Sequence, residues 1–187
     1  MSALEIAANA VTALSIWLAA RNHRHTWSTG IVGSLLFGWQ FYASQLYADA
    51  TLQAFFIATS VLGWRQWRRA GAGAATRPVT RTRWPALAAM GGAALAVCLG
   101  YGALLQRYTA AYLPFVDAAV LGLSVVAQCL LMQRKLATWP WWLAVNTVSV
   151  PLFASRGLWL TAVLYAAYWC NAWHGWWHWR RELQAAA

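Results

Sequence analysis

Gly63-Trp64-Arg65-Gln66-Trp67-Arg68-Arg69 returns further along the chain as Gly175-Trp176-Trp177-His178-Trp179-Arg180-Arg181, a shift of 112 residues (175 − 63). The same shift, without a gap, lays residues 5–69 over 117–181. Thr26-Trp27 then falls on Thr138-Trp139, Leu46 on Leu158, and Ala50-x-Leu52 on Ala162-x-Leu164. Fourteen of the 65 overlaid positions are identical, three of them tryptophan, where roughly 5 would arise by chance from this composition. Two unrelated Trp-rich membrane helices can end alike, but they would not hold one register through three helices. An internal repeat is therefore expected.

The composition sets the environment of that repeat. The 187 residues are 61% hydrophobic and 10% charged, against about 25% charged in a soluble domain. A soluble chain of this length cannot hide so much apolar surface, so lipid must cover part of it. Fifteen Trp and seven Tyr suit the same class, because both rings favour the membrane interface. Seven spans are expected at about Leu4–Ala20, Trp27–Tyr47, Ala50–Trp67, Trp84–Leu105, Ala111–Met132, Trp139–Phe153 and Leu158–Trp179. Each approaches the roughly 20 residues that cross a bilayer core. The first begins with a glutamate and lacks a basic leader, so it reads as a spanning helix and not as a signal peptide.

The net charge of +10 raises nucleic acid as a partner. The basic residues instead sit in short loops between apolar runs, where they set topology and meet anionic lipid headgroups. With the 65–83 segment in the cytoplasm, Arg21, Arg24, Arg65, Arg68, Arg69, Arg77, Arg81, Arg83, Arg134, Lys135, Arg180 and Arg181 lie inside. Only Arg107 and Arg156 lie outside. The N-terminus is then outward and the C-terminus cytoplasmic. Both repeat units end on the Arg-rich side, so they are parallel, and a three-span unit needs one extra crossing before its copy can begin. The fourth span supplies it. The expected architecture is an all-α membrane protein of 3+1+3 helices: 1–69 the first three-helix bundle, 70–110 the linker and linker helix, 111–187 the second bundle. Parallel repeats of this kind are a transporter layout with the site between the halves.

A family resemblance rests on particular residues. Leu35-x-Phe37-Gly38, then Gln45-Leu46-Tyr47-Ala48-x-x-x-Leu52-Gln53-x-Phe55-Phe56 and Gly63-Trp64-x-x-Trp67, resemble the Pnu-type vitamin transporters. Gln133-Arg134-Lys135 and Trp139-x-x-Trp142-x-x-x-Asn146-x-x-Ser149-Val150 are similar to that family as well, so the likeness runs through essentially the whole chain. It implies a full-length SWEET-like fold and facilitated diffusion across a bacterial inner membrane. The implied substrate is nicotinamide riboside, a vitamin B3 precursor for NAD biosynthesis, with thiamine or another vitamin precursor as the alternative. It also implies a cytoplasmic kinase that traps the product, no cofactor, and a homo-oligomer, a trimer in the family pattern. The chain departs from the riboside carriers at Ser60, Leu62 and His174, where they have Asn, Tyr and Asn.

The resemblance places Gln53, Trp142 and Asn146 among the substrate contacts, matches Tyr165 to a family tyrosine, and adds Trp169 and Asn171 on the seventh span. Gln53 and Tyr165 are repeat mates (53 + 112), as are Ser34 and Asn146. A buried amide is costly in hydrocarbon unless it pairs or faces a cavity. Indole and phenol faces suit a flat cationic ring, and amides suit hydroxyls or a carboxamide. The competing reading is helix–helix hydrogen bonding for Gln53 and Asn146 and an interfacial belt role for Trp142. Trp141, Trp159, Trp176, Trp177 and Trp179 are expected in that belt. Glu5, Asp49 and Asp117 are candidates for an outer vestibule attractive to cations, or simply N-terminal helix charges. His174 and His178 stand four residues apart with no further ligand, so no metal site is expected. No nucleophile–base constellation points to an enzyme, and a non-transporting membrane scaffold or sensor is the remaining rival. Cysteine-accessibility mapping is expected to place Met1 outside and Ala187 inside; both ends on one side would mean an even number of crossings.

Overall fold

The computed structural model describes residues 3–43, 47–69, 78–108, 113–155 and 159–185. They form seven helices: α1 (Ala3–Ala20), α2 (Thr26–Ala43), α3 (Tyr47–Arg69), α4 (Trp84–Tyr108), α5 (Pro114–Met132), α6 (Thr138–Ser155) and α7 (Trp159–Ala185). Every expected span has its helix, with ends displaced by a few residues. The largest extension is α7, which continues past Trp179 because Arg180-Arg181-Glu182-Leu183-Gln184 are helix formers with no Gly or Pro to stop them. The expected start of the fifth span at Ala111, and residues 70–77 of the linker, lie outside the described residues.

The chain divides into two compact units. One comprises Met1–Val79, Met132–Arg134 and Trp177–Ala187; the other comprises Thr80–Leu131 and Lys135–Trp176. In the first, α2 packs against both α1 and α3. α1 closes in a left-handed turn: Asn22 has φ 58°, its amide donates to the Ala19 carbonyl, and the His23 amide reaches back to Leu18. This satisfies carbonyls that a helix end would otherwise leave bare, and asparagine tolerates the conformation. Ser15 Oγ then donates to the Thr26 carbonyl at 2.7 Å while Thr26 Oγ1 donates to the Ser15 carbonyl at 2.8 Å. Two hydroxyls thus clip α1 to the start of α2 without an orphaned polar group. The next residue, Trp27, lies over Gly63 of α3, where a side-chain carbon would come within 2.6 Å of the indole. Trp67, one turn on, meets Trp27 edge-to-face at 5.2 Å.

The second unit repeats these local contacts at positions 112 further on. The Thr138 amide donates to Lys135 as that of Thr26 does to His23, and Lys135 reaches back to Leu130 as His23 does to Leu18. Thr138 Oγ1 donates to the Ala127 carbonyl at 2.7 Å. Trp139 lies over Gly175, within 2.5 Å of where a side-chain carbon would stand. α4 belongs to this unit and is anchored narrowly: of its residues only Ala94 and Gly102 are buried. Gly122 of α5 lets the Ala94 backbone approach so closely that a Cβ there would be 2.9 Å from the Ala94 oxygen. Ala94, Val126 and Leu130 form the core of that contact, with Met90, Ala137 and Trp141 around it.

Large apolar side chains remain on the outside, among them Trp39 at 67%, Trp84 at 78% and Trp159 at 68% exposure. Exposed apolar surface on this scale is what a bilayer, not water, solvates. α4 and α5 are long and apolar enough to cross a membrane by length and composition alone, with mean hydropathies of 1.8 and 2.0. In α1 the described apolar stretch, Ile6–Ala20, is shorter, and the other four are diluted by Trp, Tyr and polar residues or by arginines near their ends. Replacing Gly175 with valine forces Trp139 out of its seat. The substitution is expected to cost about 1–3 kcal/mol, read as a lowered thermal midpoint in detergent.

Candidate functional site

α6 places two buried polar side chains on one face beside a tryptophan. Trp142, Asn146 and Ser149 stand at i, i+4 and i+7, hence on one face. Asn146 is 4% exposed and Ser149 fully buried, while Trp142 is half-buried. The Ser149 hydroxyl has no hydrogen-bond partner among the described residues. Other hydroxyls on these helices bond back to their own helix, as Thr59 does to Phe55 and Thr147 to Leu143. Pro151 interrupts the ladder just beyond, since it has no amide hydrogen to give the Thr147 carbonyl.

α7 brings aromatic groups to the same unit. Trp169 Nε1 donates to Thr147 Oγ1 at 3.1 Å, tying α7 to α6 one residue beyond Asn146. Trp169 continues edge-to-face into Trp173 at 5.9 Å, and Trp173 into Trp176 at 5.8 Å. Tyr165, one turn before Trp169 on the same face, lies 5.7 Å from the Tyr168 ring. Asn171 stands six residues beyond Tyr165 and so occupies a different face of α7 from Tyr165 and Trp169. Gln53 belongs to the other unit, half-buried in the second turn of α3, with its Cβ 3.5 Å from where a side-chain carbon on Gly38 would stand. Within the second unit, then, α6 carries Trp142 and Asn146 and α7 carries Tyr165 and Trp169, the two helices being tied by the Trp169–Thr147 bond. An apolar depression of about 260 Å³ lined by Leu123, Pro140, Trp141 and Ala144 holds none of the predicted substrate contacts.

Two expectations from the sequence are corrected. Trp179, read as a belt residue, is fully buried, and Arg134, read as a loop charge for topology, is 1% exposed. Both enter the first unit, where the Arg134 guanidinium lies 4.8 Å from the Trp67 ring. Spacing alone offers no sign of this, because surface and buried arginines look alike in a loop. Buried Ser15, Ser34, Ser60, Ser124 and Gln128 were likewise not singled out as site residues. For the proposed acidic vestibule, only the Asp117 side chain lies among the described residues. It is half-buried in the first turn of α5, where the helix dipole favours a carboxylate.

The family of nicotinamide mononucleotide transporters matches this sequence over residues 2–181. The chain belongs to that family. Among individual transporters, it is 27% identical to the nicotinamide riboside transporter PnuC of Escherichia coli strain K12 over 181 residues, covering 81% of this chain and 74% of that one. The riboflavin/roseoflavin transporter RibM of Streptomyces davaonensis is 26% identical over 167 residues, covering 88% of this chain and 78% of the other. The crystal structure of the vitamin B3 transporter PnuC superposes with a TM-score of 0.78 at 20% identity, covering 98% of this chain and 83% of that one. The shared fold is thus that of a multi-pass membrane transporter. In this member of the family, the Trp169–Thr147 bond fixes the indole beside α6. Thr147→Val removes that acceptor and is expected to lower the thermal midpoint by the equivalent of about 1 kcal/mol, with a shift in tryptophan emission.

Proposed function

We propose that the chain carries nicotinamide riboside across the bacterial inner membrane by facilitated diffusion, with a cytoplasmic kinase phosphorylating the product so that it stays inside. The observation that carries this reading is Asn146: a carboxamide only 4% exposed, mid-way along a membrane helix and one turn from Trp142. A buried amide in this setting is a costly luxury unless it meets a polar ligand. Hydroxyls or a carboxamide on the substrate would meet it, and the flat cationic ring would stack on indole or phenol faces. The likeness to a nicotinamide riboside carrier over most of both chains supports the choice of ligand. The four acids of the chain are Glu5, Asp49, Asp117 and Glu182, none in the middle of a helix, which supports a uniporter over proton coupling.

The same reading takes the seven helices as a SWEET-like 3+1+3 arrangement with the N-terminus outside and the C-terminus inside. Its support is the paired local geometry: Thr26 with Thr138, Trp27 over Gly63 with Trp139 over Gly175, and left-handed Asn22 with left-handed Arg134. Gln53 and Asn171 complete the proposed contacts, and self-association into a trimer follows the family pattern. A second reading, a riboflavin carrier, is favoured by the likeness to RibM; thiamine follows from the substitutions at Ser60, Leu62 and His174.

Titration of the purified protein with nicotinamide riboside, riboflavin and thiamine, followed by tryptophan fluorescence, separates these readings. Nicotinamide riboside is expected to bind most tightly and to enter sealed proteoliposomes down its gradient. Asn146→Ala is expected to weaken that binding about ten-fold or more while the protein stays folded. Tightest binding of one of the other vitamins would replace the substrate, and no uptake of any would remove the carrier reading.

A further inference from the structure

The helix ends of the first unit hold a charge that the transport site does not use. Arg134 follows α5 in a left-handed conformation, φ 53°, unusual for a residue other than glycine, asparagine or aspartate. Its guanidinium is 1% exposed and lies beside two indoles, 4.8 Å from the Trp67 ring and 5.9 Å from that of Trp179. One nitrogen stands 3.6 Å from Glu182 Oε2, and Asn22 donates its side-chain amide to the same oxygen. His178 Nε2 lies 3.2 Å from the other carboxylate oxygen. Trp67 is itself pinned, its Nε1 donating to the Met132 carbonyl at 3.0 Å. The turn after α1, the end of α3, the turn after α5 and the end of α7 thus meet around one cation.

An arginine cannot shed its proton to escape burial. Its desolvation is offset here by aromatic faces and by a carboxylate that is itself 36% exposed. Replacing a buried ion pair as a whole by apolar side chains is often neutral or stabilising, and Glu182, 36% exposed and in contact with Asn22 and His178, keeps water and partners when Arg134 is lost. Static packing therefore does not call for this residue, and the strained backbone under it is a further cost kept in place. What arginine offers over leucine or methionine is exchange. When the helix ends part, water and lipid phosphates solvate the guanidinium, whereas an apolar plug would resist separation.

We propose that Arg134, Trp67, Trp179 and Glu182 form a releasable clasp, closed in this structure, which opens and recloses during each transport cycle with Arg134 as its pin. Arg134 is a positioning residue in this scheme and does not touch the substrate. The inference rests on the reading of the chain as a carrier that alternates between open states.

Arg134→Met turns the clasp into an apolar plug. Its expected signature is a thermal midpoint no lower than that of the unaltered protein, unchanged nicotinamide riboside affinity by fluorescence titration, and proteoliposome uptake slowed about ten-fold. Arg134→Lys, which keeps a charge that can be hydrated, is expected to recover much of the rate. Spin labels at Arg68→Cys and Gln184→Cys report the separation of the α3 and α7 ends without depending on uptake. They are expected to show a short and a long distance whose proportions shift with nicotinamide riboside, and the short one alone when Arg134→Met is added. Unaltered uptake in Arg134→Met, or a rate lost together with affinity and thermal midpoint, overturns the clasp. So does one fixed label distance in the otherwise unaltered protein. Absence of uptake by the unaltered protein, with the label distances still shifting on binding, would count against the carrier reading and leave the clasp standing.

Discussion

An indole laid across a helix at the one position without a side chain is the contact on which the rest of this structure depends. Trp27 over Gly63 and Trp139 over Gly175 each bring the first turn of a helix against another helix of the same unit. Apolar side chains are no better solvated by each other than by lipid, so association within a bilayer relies on close packing and on hydrogen bonds. The glycine supplies the first. The threonine immediately before each tryptophan supplies the second, bonding to a carbonyl of the preceding helix. Large ring, missing side chain and short hydroxyl act as one device, used once in each unit.

That device explains why the helices were so legible in the sequence. Its parts are adjacent or at fixed spacing: Thr26-Trp27 with Gly63, Thr138-Trp139 with Gly175. Their recurrence at a constant shift marks the helix starts and ends as strongly as the apolar runs do. Aromatic residues were harder to assign. Trp177 and Trp179 are two positions apart in one helix, yet the first is half exposed and the second fully buried. Helical geometry sets them on different faces, and only the neighbours decide which face is covered. Arg134 was opaque for a related reason, since its burial depends on rings brought from α3 and α7. The candidate site lay between these extremes. The face shared by Trp142 and Asn146 follows from their spacing, but the Trp169–Thr147 bond and the uncommitted Ser149 hydroxyl belong to the folded helices.

Polar groups are distributed here in two manners. At the junctions between consecutive helices hydroxyls are bonded across the turn: Ser15 with Thr26, Thr138 with Ala127. Along the middle of α6 the Ser149 hydroxyl has no partner among the described residues, close to a break in the backbone ladder made by Pro151. A protein that must release what it binds benefits from this division. The clipped junctions preserve the frame, while underused hydrogen-bonding capacity in the interior is left for something that comes and goes.

The weak anchoring of α4 bears on how the chain reaches the membrane in the first place. α4 and its successor α5 are apolar enough to leave the insertion machinery for lipid unaided, whereas α6 brings Asn146, Ser149 and Pro151 into the bilayer. Synthesis delivers α5 before α6, so the carbonyl that Thr138 will grip is already waiting when that less willing segment arrives. The order of translation thereby becomes part of the fold, and a chain shuffled to present α6 first would be expected to stall at the membrane's edge.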